Sequence, residues 1–460
     1  MNFAKKTILL LVLLSIISGS AGAQETEDSS SEKKAFFPAL LGIFMTDVVL
    51  HTFSWLNGED YAEISPQSWK NNLLSRWWWD DDPFLYNHPG HAYQGGLYHA
   101  AARTNGFSFY ESLLFGLGGS LTWELFGETD EPAINDLIFT PIAGAAFGEM
   151  MHLLYLEIGN PWLAALVSPI DAFNNLLLGK KPTKTYNTYY LSTMAGPGWI
   201  KPIYRDNEQQ DSLTKPQPSN IFSGNIGCEV IYGNPFDQNS KKPFSHFEFK
   251  LLFGITFLPT GTDWTILNDA FLFSYNPLYT EKDMLSTGLT LHYDVFASNL
   301  INFNFNFANN GLDWSLKWRH EFNTAHLELK SHLGWTILGS SEYFPLIEKD
   351  LNLRERDNYF GTGANLKFFV TFVTQKKSRI TLGTCNYLVF MIPYLNKPDS
   401  RTIEFINFSF LECSFRFTKI FSLFVNNSFF LKSVHSYKEN NAVYISNRLI
   451  LGIQMTFIDK

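Results

Sequence analysis

The side chains best suited to chemistry lie between Trp77 and His152, within segments apolar enough to form buried helices. They are carboxylates, histidines, an arginine and an amide: His88, His91, His99, Arg103, Glu111, Glu124, Glu128, Asn135, Asp136, Glu149 and His152. Charged side chains are seldom buried unless they pair with one another or hold a ligand. The pattern therefore predicts a polar cluster inside a helical bundle.

Helical spacing indicates which of these groups can meet. Ser120, Glu124 and Glu128 recur every four residues and would share one helix face. Gly144 and Gly148 would allow close contact between two helices, and Asp136 stands where it can cap the helix that follows. The candidate catalytic residues are His91, Arg103, Glu124, Asp136 and Glu149.

Two chemistries are compatible with this cluster. Glu149 and His152 are spaced like one half of a bundle metal site, but a di-iron site needs a second such pair and the sequence has none. A carboxylate whose pKa is raised by burial could instead serve acid–base hydrolysis. Arg103 paired with Glu124 or Glu149 would equally be a structural ion pair. Cofactor and metal are therefore left open.

Two further groups have structural interpretations. Asp47 and His51 lie four residues apart and are expected to pair on the first helix. The run WWWDDDPF (77–84) could be an interfacial anchor or a divalent-cation loop. It lacks EF-hand spacing, so we expect a loop whose Trp side chains pack on the core and whose Asp side chains cap the following turn.

The order of motifs from WWWDDDPF onward resembles a known family. The carrying residues include His91, Gly95-Gly-Leu-Tyr98, Ala101-Ala-Arg103, Trp123-Glu124, Glu131-Pro132, Asn135-Asp136 and Gly148-Glu149. Together they resemble the bacterial envelope family known as domain of unknown function 3943, over roughly Trp77 to His152. Ala92 and Ala133 depart from its usual Pro and Ser. The resemblance implies an exported envelope protein and brings no established activity.

The N-terminus predicts export. Lys5 and Lys6 precede a short apolar run and an Ala-x-Ala site at Ala23, as in a secretory signal peptide. We therefore expect a signal peptide at residues 1–23 and a disordered linker at 24–35. Without the signal the chain would hold 33 basic and 44 acidic residues, a net charge of −11. That balance disfavours nucleic-acid binding, which needs a basic face.

The rest of the chain divides into two unlike parts. Residues 36–195 carry apolar blocks of helical length, predicted as 37–55, 94–104, 108–126, 142–156 and 161–178. Their mid-segment charges argue against inner-membrane helices, so they would form a periplasmic cap or fill the barrel mouth. Residues 196–220 are rich in Pro, Gly and polar side chains, which predicts a linker.

From residue 221 to 460 the apolar side chains recur at every second position, which is the period of a β-strand. Apolar residues alternate with polar ones in roughly twelve segments, many longer than the 9–11 residues that cross a bilayer. Strands can span a membrane only if they close into a barrel, because every backbone polar group must then find a hydrogen-bond partner within the protein. The predicted fold class is therefore α+β, with an N-terminal helical domain and a C-terminal antiparallel transmembrane β-barrel of about twelve strands. The sequence departs from the usual barrel-assembly signal, which ends in an aromatic residue, because its last aromatic residue, Phe457, lies three residues from the end.

Two functions stay open at this point. In the first, an outer-membrane protein recognises or modifies an envelope lipid or glycan with its helical domain. In the second, the barrel is a non-catalytic channel or assembly element and the helical domain is its plug. The expected location is the bacterial outer membrane, and the expected partners are its lipid and the barrel-assembly machinery.

Overall fold

The computed structural model describes two compact units. It describes residues 34–80, 82–206, 220–237, 242–257, 260–300, 303–343, 358–392, 402–436 and 441–460. The helical unit comprises residues 34–80 and 85–186, and the barrel unit comprises residues 187–460 together with residues 82–84. The predicted signal peptide and most of the predicted linker at 24–35 lie outside the described residues.

Seven α-helices build the described part of the helical unit. They are α1 (Phe36–Asn57), α2 (Pro66–Leu74), α3 (His91–Thr104), α4 (Phe109–Thr122), α5 (Ile134–Glu157), α6 (Pro161–Val167) and α7 (Pro169–Leu178). Helix α2 was not expected, and the expected helix at 161–178 is two helices. Pro169 cannot donate its backbone nitrogen, so the chain breaks at Ser168, which precedes it.

Local sequence explains several helix ends. Ser108 caps α4 by accepting from the backbone N–H of Glu111, and the Glu111 side chain accepts in return from the backbone N–H of Ser108.

Two single π-helical turns flank these helices: Tyr86–Gly90 precedes α3, and Trp123–Gly127 follows α4. Such turns are rare in proteins overall, but those that occur are often found at functional sites. They carry His88 and Glu124 respectively.

A seam of small residues joins α3 and α5. A Cβ built on Gly144 would lie 2.4 Å from the backbone carbon of Gly95, and one on Gly148 would lie 2.5 Å from the carbonyl oxygen of Gly96. The two backbones therefore touch, as the spacing of Gly144 and Gly148 predicted. Because His91, Gly95, His99 and Arg103 recur every four residues, this seam also aligns the polar side chains of α3 with α5.

Among the described helices, two are long and apolar enough to cross a membrane by length and composition. These are Phe36–Asn57 and Ile134–Glu157, whose apolar windows are 22% and 67% buried. Helix α5 is thus the central helix of the unit, whereas α1 is mostly exposed.

The barrel unit is a closed antiparallel β-barrel, which confirms the predicted fold class and strand number. Its strands are β1 (Thr188–Asp206), β2 (Ile221–Tyr232), β3 (Phe247–Phe257), β4 (Thr260–Tyr279), β5 (Asp283–Leu300), β6 (Phe303–Glu321), β7 (Ala325–Tyr343), β8 (Asn358–Thr374), β9 (Arg379–Met391), β10 (Thr402–Arg416), β11 (Phe421–Ser436) and β12 (Ala442–Asp459). Each strand pairs with its chain neighbour, and β1 pairs with β12 to close the ring.

The first strand corrects the predicted linker. Residues 196–206 belong to β1, and the Gly196-Pro197-Gly198 run lies inside it. All three residues pair with β2, and Gly198 pairs with β12 as well. A Cβ on Gly196 would lie 2.0 Å from the carbonyl oxygen of Leu451, so glycine there allows a close approach of two strands. The Pro and Gly that indicated a linker are therefore features of a strand. Residues 207–219 lie outside the described chain.

The wall has an apolar outside and a mostly polar inside. Exposed apolar side chains alternate with buried ones along β10 and β11. Exposed aromatics also gather where strands meet short turns, at Tyr279, Phe322, Phe417 and Phe457, like the girdle of a membrane barrel. The outward side therefore suits lipid.

One part of the wall reverses the expected polarity. The sequence pattern assigned Phe, Leu, Ile and Trp to the outside and Asn, Ser and charged side chains to the inside. In β6, however, Phe305 stacks on Phe430 of a distant strand and Phe307 meets Tyr387, so both rings point into the lumen. The alternate residue Asn306 therefore faces outward, where it donates to Glu342 of β7. The predicted two-residue alternation is therefore confirmed for this stretch, but the prediction that its aromatic side chains face outward is wrong.

Candidate functional site

The structure places four of the five predicted residues in two clusters at the two ends of the glycine seam. His91 and Asp136 meet where α3 and α5 begin, and Arg103 and Glu149 meet about three and a half turns further along. Glu124 lies on the π turn after α4. The predicted single cluster is thus two clusters.

The first is the Asp–His cluster, defined by Asp80, Asn87, His91, Asn135 and Asp136. The loop at Trp78 pairs with the chain at Ala133 just before α5, and this pairing brings Asp80 to the helix start. The carboxylate of Asp80 accepts from the amides of Asn87 (2.7 Å) and Asn135 (3.2 Å). His91 Nε2 lies 3.6 Å from Asp136 Oδ1, too far for a direct hydrogen bond.

Burial and neighbouring charge set the protonation of this cluster. Burial, with the Asp80 carboxylate nearby, raises the pKa of Asp136 well above its usual range. Burial lowers the pKa of His91 to about 4 and that of His88 to about 3, against the attraction of Asp80. At neutral pH His91 is therefore a neutral base, and burial favours the neutral acid form of Asp136, an arrangement able to give and accept one proton.

The second is the Arg–Glu–His cluster, defined by His99, Arg103 and Glu149. The guanidinium of Arg103 donates to both carboxylate oxygens of Glu149, at 2.6 and 3.0 Å, and His99 Nε2 lies 2.9 Å from one of them. Burial would raise the pKa of Glu149, but the bonds from His99 and the charge of Arg103 outweigh it and hold the pKa at about 2. This cluster is a paired ionic lock between α3 and α5.

The other predicted groups take structural places. Glu124 accepts from the backbone N–H of Ala133 at 2.7 Å, and Ser120 donates to the backbone oxygen of Asp136. The Glu149-x-x-His152 pair does not act together, because His152 bonds Asp171 at 2.7 Å. Among the described residues, no group of three or more His, Cys, Asp or Glu side chains is placed to hold a metal ion.

Three interpretations need correction. Asp47 does not pair with His51: Tyr98 donates to Asp47, and the His51 ring contacts the carbonyl oxygen of Gly127. Asp136 lies within the first turn of α5, after Ala133 at the N-cap, and faces His91. In the 77–84 loop, Trp78 is 39% exposed rather than packed on the core.

The five predicted residues leave out the rim of the site and one member of the ionic lock. Asp80, Asn87 and Asn135 form the hydrogen-bonded rim, and His99 completes the lock. His99 is among the polar side chains noted in the sequence, and its four-residue spacing from Arg103 could have added it to the five candidates. The position of Asp80 depends on the pairing of Trp78 with Ala133, for which no local signal exists.

A cavity of about 410 Å³ opens elsewhere on the helical unit. It is lined by His51, Thr52, Trp55, Ala62, Glu63 and Ile64. None of the five predicted residues lines it, so it does not enlarge either cluster.

Comparison with known proteins gives low similarities to solved β-barrels. A KdgM porin in complex with disordered oligogalacturonate is 9% identical, covering 58% of this chain and 99% of that chain, with a TM-score of 0.22. The NanC porin is 9% identical over 57% of this chain and 100% of that chain, with a TM-score of 0.25. A Pseudomonas aeruginosa FadL homologue is 7% identical over 58% and 90%, with a TM-score of 0.26.

No curated protein matches the chain. A family match is found for the helical unit, at residues 76–170, which include both polar clusters. This range extends the expected resemblance from His152 into α7 and confirms it. Residues 76–170 are similar to the family described as Domain of unknown function (DUF3943).

Proposed function

We propose that the chain is an outer-membrane β-barrel protein whose helical unit recognises an envelope lipid. The barrel supports the first half of this proposal. A closed ring of strands satisfies its backbone hydrogen bonds in a bilayer, and its outward apolar side chains match the acyl region. Assembly of such a barrel would require the barrel-assembly machinery.

The exterior of the helical unit carries the second half. Large apolar side chains are strongly exposed on separate helices: Phe53 on α1 at 67%, Trp162 on α6 at 81% and Leu166 on α6 at 80%. Further exposed examples are Phe37, Phe44, Leu73, Leu74, Leu114 and Leu163. Each such side chain gains about 1.5–3 kcal/mol on leaving water. An exposed apolar surface of this extent is typical of a site that contacts a membrane or another protein.

The interior of the same unit holds polar groups beside its apolar cluster. Asp136, His99 and Glu149 are buried and partnered, while α3 and α5 pack through glycine. Polar groups inside, small residues between helices and bulky apolar groups outside are typical of helices in lipid. Because the barrel of the same chain also has an acyl-like outer surface, lipid chains are the cover that fits both units.

The test uses the full-length protein in vesicles of phospholipid with a photoactivatable group on an acyl chain. After illumination, cross-linked peptides are mapped by mass spectrometry. The barrel is an internal positive control, with Leu333 and Leu382 on its outer face. We expect α1 and α6 to be labelled at Phe53, Trp162 and Leu166 to the same extent as the outer face of the barrel. Labelling confined to the barrel would refute lipid recognition by the helical unit.

Lipid modification is a second candidate, favoured by the Asp–His cluster alone. Asp136 can donate a proton and His91 can accept one, as acid–base hydrolysis requires. We expect Asp136→Asn to change the lipid or glycan composition of the envelope, measured by mass spectrometry of extracts. Glu111→Gln is the matched control, since this carboxylate lies at the exposed Lys34 pair and outside both clusters. An unchanged composition in folded Asp136→Asn would leave recognition without chemistry.

A further inference from the structure

We propose that the barrel is sealed rather than porous, and that an aromatic bridge across its lumen is the permeability barrier. This inference concerns the barrel alone and does not depend on lipid recognition by the helical unit. It starts from the strand order. In a ring of twelve strands, β5 and β11 stand six places apart and belong to opposite walls.

Aromatic side chains from these opposite walls touch. The ring centroids of Phe296 (β5) and Phe430 (β11) are 6.0 Å apart. Phe305 of β6 stacks on Phe430 at 3.9 Å, and Phe296 meets Phe408 of β10 at 4.7 Å. All four rings are at most 5% exposed. We call Phe296, Phe305, Phe408 and Phe430 the aromatic bridge.

A layer of charged side chains also joins distant strands. Lys250 of β3 binds Glu412 of β10 at 2.6 Å, and Lys317 of β6 reaches Glu248 of β3 at 3.0 Å. The cavity beside these groups measures about 70 Å³. It has room for a few water molecules, but not for a hydrated solute.

The two layers differ in how they oppose ions. Charged side chains can hydrate and rearrange, so an ionic layer by itself offers polar stepping points for ions. Apolar constrictions instead exclude ions because water leaves them. The bridge also sits among other apolar lumen residues, including Val389, Ile406 and Val434. The aromatic bridge is therefore the layer expected to stop ion flow.

Conductance of the full-length protein in planar lipid bilayers tests this assignment. Wild type should give no steps, whereas Phe296→Ser with Phe430→Ser should give discrete current steps. The matched control replaces two outward rings of β10 and β11, as Phe405→Ser with Phe429→Ser, and should stay silent. Lys250→Met with Glu412→Met removes the ionic contact and should also stay silent.

Heat-modifiable migration on gels shows that each variant retains its barrel. If the double serine variant does not fold, Phe305→Ser alone takes its place. Steady conductance of wild type would overturn the proposal. So would a folded bridge variant that stays silent, or a charge-layer variant that conducts. None of these outcomes bears on acyl cross-linking of the helical unit, so the two proposals fail separately.

Discussion

Asp136 and His91 lie 3.6 Å apart in the same buried site, and burial moves their pKa values in opposite directions. Desolvation disfavours the charged form of each group, so burial favours the protonated form of Asp136 and the unprotonated form of His91. Asp80 stands beside both, held by two amides. The neighbouring ionic lock of Arg103 and Glu149 shows the opposite solution, in which a buried charge is retained because it is paired.

A pH series tests the state of His91. Its folded pKa of about 4 lies below the usual 6.5. Between these values the unfolded chain binds a proton that the folded chain does not, so stability is lost as pH falls. Relative to His91→Gln, wild type should lose about 1.4 kcal/mol per pH unit from pH 6.5 to 4. The free energy of unfolding is followed by helical circular dichroism in denaturant.

The comparison with His91→Gln cancels the other groups that titrate in this range, among them Asp136 and His88. Thr140→Val is the control, since it removes the partner of His91 Nδ1 at 3.1 Å and keeps the ring. Its pH curve should run parallel to that of wild type. A His91→Gln curve equally parallel to wild type would mean that His91 titrates normally.

The ionic lock predicts a large mutational effect. Glu149→Gln leaves the charge of Arg103 unpaired in a largely buried place. Breaking a buried ion pair from one side costs about 3 kcal/mol or more. We expect helical melting of Glu149→Gln to shift down accordingly, whereas Glu111→Gln, at the exposed Lys34 pair, should change it little. Equal shifts for both variants would contradict a structural lock.

At the level of the element, His91, Arg103 and Glu149 were singled out because they are polar side chains within apolar segments of helical length, where a buried charge needs a partner. The structure places them on α3 and α5. Asp80 escaped because loop-to-loop pairing decides its place. The two-residue period of the strands was predicted correctly, but the face was wrong for the stretch of β6 around Phe305, which points inward because the lumen is apolar at that level. The local sequence of one strand does not indicate whether the lumen beside it is polar or apolar.

The glycine seam predicts an asymmetric substitution pair. A Cβ on Gly144 would lie 2.4 Å from backbone of α3, whereas one on Gly118 meets nothing within 4 Å. Gly144→Ala should therefore destabilise the helical unit by about 1–3 kcal/mol through overpacking. Gly118→Ala should stabilise α4 by about 0.5–1 kcal/mol, because alanine favours the helix. Thermal melting of both variants decides this, and a stabilised Gly144→Ala would mean that the helices do not touch there.

At the level of the whole molecule, two units of different construction share one chain. The helical unit has an apolar cluster around Tyr98 and Met151, with ionic groups at the seam. The barrel has its own cluster around Phe296 and Phe408, and closes through backbone pairing. Each unit thus contains the contacts it needs for its own fold. Composition changes along the sequence predicted this division but misplaced its boundary, since Pro and Gly within β1 resemble a linker.

Separate cores predict separate unfolding. On heating in detergent, loss of helical circular dichroism should precede loss of the barrel, which is read from heat-modifiable gel migration. Glu149→Gln should lower only the first transition, because its partners lie in the helical unit. Lys317→Met should lower only the second, because it removes the ion pairs of Lys317 with Glu248 and Asp269 within the barrel. A single transition that both variants shift together would show that the two units fold as one, since the loss of either lock would then be felt throughout the chain.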